Sequence, residues 1–135
     1  MPRNGERGES LSNRKERIMK TVDYNVQTAI EAGRNFTVGG RSDTKVRWNN
    51  GVCEVRLYGN RIFHFDSKSG EWEANMCGWH TQTTRNRINA CLYAMGTGAG
   101  LVRRNYKTCL TGPRGKTFPL TSSFIKGCGQ RITFR

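Results

Sequence analysis

Residues Cys77–Gly96 read C-G-W-H-T-Q-T-T-R-N-R-I-N-A-C-L-Y-A-M-G, and this stretch decides the fold prediction. Four apolar residues recur in it at the i, i+3, i+4, i+7 spacing of one helical face: Ile88, Cys91, Leu92 and Met95. Gly96 follows them at the position where a C′ glycine ends a helix. Threonine hydroxyls upstream can accept from the free N–H groups of a first turn. The pattern predicts an amphipathic helix that begins at Thr81 or Thr84.

Two arginines near the start of this helix break a local rule. The first turn carries partial positive charge and favours Asp or Glu, yet it holds Arg85 and Arg87 with no carboxylate nearby in sequence. Two interpretations stay open. Either both guanidinium groups are solvated, or they form a phosphate cradle with free N–H groups and the hydroxyls of Thr81, Thr83 and Thr84.

Charge is distributed unevenly along the 135 residues, whose formal net charge is +13. Residues 1–73 contain 13 Lys+Arg and 10 Asp+Glu, whereas residues 74–135 contain 10 Lys+Arg and no Asp or Glu. A folded segment of one-signed charge repels itself, and nucleic acid is the commonest polyanion that neutralises such a segment. Beyond the helix start, the cations predicted to contact phosphates are Arg103, Arg104, Lys107, Arg114 and Lys116.

The N-terminal part is polar and mixes both charges, so residues 1–35 are predicted to be a basic arm that is partly disordered or helical. Apolar spacing indicates a helix from Arg17 to Ala32, with Gly33 after it. Residues 36–135 are predicted to form a single domain. No apolar run approaches the length needed to cross a bilayer, and the first residues lack a signal-peptide core, which favours a cytoplasmic location.

Alternating residues predict four strands between residues 44 and 76, separated by three turns. The first turn carries the Asn50–Gly51 signal of a tight hairpin. After the helix, Leu101–Leu110 reads as one further strand, and short strands follow at residues 117–120 and 130–134. The predicted fold is α+β, with an antiparallel meander of about four strands packed on one central helix and short strands at the C-terminus.

Enzyme and cofactor motifs are incomplete. Cys77 and His80 form a C-x-x-H pair, but no second pair at short spacing completes a zinc site, and the five cysteines are predicted to be free thiols. Residues 112–117 end in the G-K-T of a P-loop, but Leu110 stands at the position of its first glycine, and no helix signal follows. We therefore expect neither a metal, a cofactor nor an enzymatic activity.

Aromatic residues on cationic segments are candidates for stacking on nucleic-acid bases. Trp79 lies just before the predicted helix, and Tyr106 lies in the cationic strand. Trp72 is instead predicted to belong to the core.

Two spaced motifs resemble a family of small uncharacterised proteins of tailed bacteriophages. The first is V-x-L-Y-G-N-x-I over residues 55–62, and the second is C-G-W-H-T-x-T-T-R-x-R-I-N over residues 77–89. They are similar to the L-H-G-N-x-I and G-W-x-T-x-T-T-x-x-R-[LI]-N patterns of that family, with Tyr58 where histidine is usual. The resemblance implies a phage product acting in the cytoplasm of an infected bacterium, and it implies no established activity.

Three functions follow as hypotheses from this charge layout and resemblance. The first is a non-enzymatic phage protein that binds DNA or RNA. The second is a small modulator or inhibitor that docks its basic face on an acidic host protein. The third is a structural component of a virion or ribosome-associated particle. None of them involves a membrane partner.

Overall fold

The computed structural model describes residues 21–40, 43–78, 81–112, 117–120 and 124–133, and within these the chain is α+β with two helices. The predicted fold class is therefore confirmed. The elements in chain order are α1 (Thr21–Ala32), β1 (Phe36–Val38), β2 (Thr44–Asn49), β3 (Val52–Leu57), β4 (Asn60–Asp66), β5 (Glu71–Asn75), α2 (Gln82–Ala94), β6 (Gly100–Arg104), β7 (Lys107–Thr111), β8 (Thr117–Pro119), β9 (Phe124–Cys128) and β10 (Arg131–Thr133).

The strands form two antiparallel sheets, and the larger is wider than the sequence indicated. Its order is β10-β9-β5-β4-β3-β2-β1, so β2 to β5 are neighbours in chain order and three further strands extend the sheet at its two sides. The smaller sheet has the order β6-β7-β8. Strand β9 was not predicted, because Gly127 and the cysteine after it interrupt the β-branched pattern that marks a strand.

One face of the large sheet carries the core. A row of directly opposed residues crosses five strands and is buried throughout: Val46, Val55, Phe63, Ala74 and Ile125. Both helices contribute to the same hydrophobic cluster, α1 through Val26 and Ile30 and α2 through Ile88 and Leu92. Residues 21–32, which the sequence analysis included in the arm, are thus a helix packed into the core.

Both helices end as their glycines predict. Gly33 and Gly96 have φ values of 67° and 70°, in the left-handed region that glycine adopts without a Cβ penalty. At the end of α2, the Gly96 N–H donates to the Tyr93 carbonyl (2.9 Å) and the Thr97 N–H donates to the Leu92 carbonyl (3.3 Å). This is the paired hydrogen bonding of a Schellman motif, and α1 ends with the same pattern.

The segment Leu101–Leu110 is a hairpin rather than the single predicted strand. Strands β6 and β7 pair in register from Gly100↔Thr111 to Arg104↔Lys107, around a two-residue turn at Asn105 and Tyr106. Both turn residues have positive φ, 51° and 63°. In sequences, Asn-Gly usually predicts a two-residue hairpin turn of this conformation, whereas Asn-Tyr does not. The turn was therefore missed, and the segment was predicted as one strand.

Gly127 is needed for a close approach between β9 and β5. It lies opposite Trp72 in the register, and an added Cβ would come within 2.3 Å of the Trp72 ring and 2.5 Å of the Arg131 carbonyl oxygen. We expect Gly127→Ala to lower the free energy of unfolding by about 2 kcal/mol, because the backbone or the ring must shift. Urea unfolding followed by tryptophan fluorescence measures it. Gly39→Ala, which meets no atom within 4 Å, is the control, and an equal effect in both variants would contradict the prediction.

Candidate functional site

The start of α2 is capped as the sequence predicted. Thr81 is the N-cap, and its Oγ1 accepts from the Thr84 N–H at 3.2 Å. The Thr84 side chain is buried, and its hydroxyl lies 3.0 Å from that of Thr81. Thr83 is half-buried. Two of the three predicted threonine hydroxyls are therefore hydrogen-bonded to each other within the cap.

Arg87 is a core residue, so its guanidinium is neither solvated nor part of a phosphate cradle, and both predicted alternatives are wrong for it. Its side chain is 1% exposed, its Nη1 lies 2.5 Å from Asp23 Oδ1, and its Nε donates to Thr44 Oγ1 at 3.1 Å. The missing carboxylate of the helix start is thus supplied by α1, from a residue 64 positions earlier in the chain. Arg85 stays half-buried near the start of the helix.

The β6–β7 hairpin gathers the exposed cations that the sequence singled out. Arg104 and Lys107 face each other at the last register position before the turn, and Arg103 is one residue further back. All three side chains are exposed. Tyr106 is 90% exposed at the turn, and the Arg103 guanidinium carbon lies 5.4 Å from the centre of its ring. We call these residues, with Asn105, the hairpin tip.

Hydrogen bonds and core packing anchor the two strands that carry the hairpin tip. Asn89 of α2 donates through Nδ2 to the Leu101 carbonyl (3.0 Å) and accepts through Oδ1 from the Leu101 N–H (2.6 Å). Leu101 and Leu110 are buried in the main core. Because both strands are anchored in this way, the tip is presented by rigid elements rather than by a loose loop.

The tip also stores backbone strain. Tyrosine is a bulky residue for which positive φ is unusual, and such positions cost on the order of 1–3 kcal/mol each. Glycine at position 106 would remove that cost but would also remove the exposed ring. Strain of this kind clusters at functional sites.

Several cations outside the hairpin tip lie near carboxylates. On the outer face of the large sheet, Glu54 lies 2.6 Å from Arg56 Nε and 3.7 Å from Arg61 Nη1. The hydrogen bond from Arg56 holds the pKa of Glu54 below its usual value. Lys126 lies 4.0 Å from Glu73. The hairpin tip belongs to the part of the chain that contains no Asp or Glu.

A pocket of about 380 Å³ opens beside the start of α2. It brings together both motifs of the sequence analysis, which are far apart in the chain. Its described lining residues are Leu57, Tyr58, Asn60, Ile62, Met76, Cys77, Thr81, Thr83 and Thr84. We call it the motif pocket. Two of its residues, Tyr58 and Cys77, have positive φ, 50° and 54°, so the backbone is strained at two of the lining residues.

Three predicted site residues, Trp79, Arg114 and Lys116, lie outside the described residues. The partner of Cys77 in the considered zinc pair, His80, does so as well. Among the residues that the structure describes, no three His, Cys, Asp or Glu side chains are grouped closely enough to hold a metal ion.

The cysteines differ sharply in expected reactivity. Burial raises the pKa of Cys53 to about 12, with the Glu54 carboxylate adding to the shift, and burial raises the pKa of Cys91 well above its usual value. The thiolate is the nucleophile, so both should be inert. Cys77 is half-buried and Cys128 is exposed. Brief treatment of the native protein with iodoacetamide at about pH 8 should alkylate Cys77 and Cys128 and spare Cys53 and Cys91.

Peptide mass spectrometry detects the alkylation, and the urea-unfolded protein, in which every thiol reacts, is the control. Early modification of Cys53 or Cys91 would contradict the prediction.

The raised pKa values of Cys53 and Cys91 also make the stability of the fold depend on pH. Because these thiols ionise more readily in the unfolded chain, their ionisation leaves the free energy of unfolding unchanged below about pH 8.5. It lowers that free energy as the pH rises toward the pKa values of the folded state.

Comparison with protein families identifies the origin of the chain. The family model described as Kyanoviridae Gp96 protein matches residues 19–131. The chain belongs to that family. The Gp96 family is a phage protein family, so the predicted phage origin is confirmed at this level. No curated protein and no solved structure matches the chain. In the described part of this Gp96 family member, no helix is long and apolar enough to cross a membrane.

Sequence reasoning missed two features of these sites. The Asp23–Arg87 pair escaped it because the partners are separated by 64 positions, although an aspartate in the first turn of α1 is a typical helix-start signal. The motif pocket escaped it because the two motifs were read as separate segments. Their shared location depends on the pairing of β4 with β5, which brings Ile62 and Met76 to the same region.

Proposed function

We propose that this phage protein binds single-stranded nucleic acid through the hairpin tip, with no enzymatic activity. The observation that carries the proposal is the exposed ring of Tyr106 among Arg103, Arg104 and Lys107. Cationic side chains that follow the phosphate backbone, together with an aromatic face for the bases, are the standard combination for single strands.

Charge supports the phosphate part of the proposal. Of the ten cations in residues 74–135, Arg87 is paired with Asp23 and Lys126 lies near Glu73. The three cations of the hairpin tip lie within five residues of each other, on a segment with no acidic neighbour in sequence. A strand of phosphates bound there would relieve their mutual repulsion and would release counterions.

The aromatic part favours unpaired bases. In a duplex the base faces are stacked on each other, whereas in a single strand they are open to a side chain. The Arg103 guanidinium lies over the Tyr106 ring, and this contact favours one arrangement of the two groups before any ligand arrives. Less side-chain entropy is then lost on binding.

Fluorescence anisotropy with labelled single-stranded DNA, single-stranded RNA and duplex DNA tests the proposal across a salt series. We expect the single strands to bind more tightly than the duplex. Log affinity should fall with log salt at a slope of about −2, as three phosphate contacts on a single strand imply. Absence of binding at low salt would refute the proposal, and so would binding that does not weaken with salt.

The alternative function is binding to an acidic protein partner, and capture from lysate distinguishes it from nucleic-acid binding. If no nucleic acid binds, capture from bacterial lysate after nuclease treatment identifies a stoichiometric acidic protein, if one exists. Loss of all captured material on nuclease treatment favours nucleic acid. Co-purification with a virion or with a ribosome-associated particle would instead indicate a structural role in that particle.

A further inference from the structure

We propose that the motif pocket binds one nucleobase. The choice of a nucleobase over other planar amides rests on the proposed nucleic-acid function, whereas the pocket itself is separate from the hairpin tip. Its volume of about 380 Å³ lies toward the lower end of the range for small-ligand sites, about 300–1,000 Å³. A ligand of the size of a nucleoside suits that space.

The described lining favours a neutral ligand. In a protein of net charge +13, none of the described residues that line the pocket is charged. Among the described lining residues a phosphate would meet hydroxyl groups but no cation, and Arg87 is turned into the core beside Asp23. These residues therefore suit a ligand without charge.

The floor and the rim indicate a flat, amphipathic ligand. Leu57, Ile62 and Met76 form apolar walls and are at most 4% exposed. Tyr58 also lines the pocket, is 53% exposed and has a positive φ in a turn. Apolar walls and an aromatic ring suit the two faces of a base, as in other sites that hold unstacked bases.

Two polar side chains supply the edge recognition. Asn60 and Thr83 line the pocket, and within the described part of the chain neither side chain is hydrogen-bonded to another residue. An asparagine amide offers a donor and an acceptor side by side, which matches the hydrogen-bonding edge of a base. The hydroxyls of Thr81 and Thr84, by contrast, are already engaged in the helix cap.

Nucleoside titration of the full-length ¹⁵N-labelled protein tests the pocket without phosphates, so its outcome is independent of the hairpin tip. Adenosine, guanosine, cytidine and uridine are added separately, and amide shifts are recorded. We expect at least one nucleoside to give saturable shifts at residues 57–62 and 81–84. The double variant Asn60→Ala/Thr83→Val should weaken that affinity about tenfold, by loss of two hydrogen bonds.

Asn49→Ala/Thr37→Val is the matched control, since both residues are exposed strand positions away from the pocket lining, and it should leave the affinity unchanged. A thymidine oligonucleotide and an abasic oligonucleotide of equal length separate the two sources of the base. Pocket shifts with the thymidine oligonucleotide, but with neither the abasic one nor the nucleosides, indicate that the pocket binds a base within a strand. Pocket shifts with nucleosides, but with neither oligonucleotide, indicate that it binds a free nucleoside. The proposal is overturned if no arm gives a saturable shift at the pocket residues. It is also overturned if the two double variants bind the nucleoside with equal affinity.

Discussion

Asp23→Ala is expected to lower the free energy of unfolding by about 3–5 kcal/mol, the largest single effect on the fold. The substitution leaves the guanidinium of Arg87 buried at 1% exposure without its counter-charge. Within the part of the chain that the structure describes, the guanidinium then keeps one side-chain partner, the Thr44 hydroxyl. The effect is measured by urea unfolding monitored by circular dichroism. Native protein and variant are compared at the same pH and salt concentration.

Two controls separate the ion pair from general damage to α1. Glu31→Ala removes an exposed carboxylate from the same helix and should cost within about 0.5 kcal/mol. The double variant Asp23→Leu/Arg87→Met removes both charges, and replacing a buried pair by apolar residues is often neutral or stabilising. Most of the lost stability should therefore return. A cost for Asp23→Ala no greater than that for Glu31→Ala would contradict the assignment of Arg87 to a buried pair.

Removing the three cations of the hairpin tip is expected to have the largest effect on nucleic-acid affinity. The triple variant Arg103→Ala/Arg104→Ala/Lys107→Ala should weaken binding to single-stranded DNA by about 30-fold or more at low salt, because three phosphate contacts are lost. The slope of log affinity against log salt should become shallower by about 2. Anisotropy titration of both proteins across the same salt series gives both quantities.

A variant of equal net charge is the necessary control, because removing any three cations weakens long-range attraction to a polyanion. Arg34→Ala/Lys45→Ala/Lys68→Ala removes three exposed cations outside the hairpin. It should retain most of the affinity and most of the salt slope. Equal losses in the two triple variants would show that the attraction is spread over the surface rather than concentrated at the hairpin tip.

The fold class and the position of α2 could be predicted because their signals are local. The apolar spacing of α2, its threonine cap and the glycine that ends it all lie within 16 residues, Thr81 to Gly96. The same holds for the Asn50–Gly51 turn, whose residues both have positive φ as a tight hairpin requires. Local hydrogen bonding and steric limits decide these features.

The parts that could not be predicted depend on contacts between distant segments. Strand β9 lies between β10 and β5, where Gly127 leaves room for the Trp72 ring, and nothing in the five residues of β9 indicates this pairing. Arg87 looked like a surface cation because its partner is on another helix. The turn at Tyr106 was hidden because the residue there is strained, and a strained residue is one that local rules disfavour.

Photo-cross-linking of a single-stranded oligonucleotide that contains 5-iodouracil tests the central claim most directly. Cross-linked peptides are identified by mass spectrometry after digestion of both the protein and the nucleic acid. Stacking of a base on the exposed ring predicts that Tyr106 is the principal cross-linked residue and that Tyr106→Ala abolishes the adduct. Efficient cross-linking that avoids residues 103–107 would contradict the account, because the strand would then lie on a different surface.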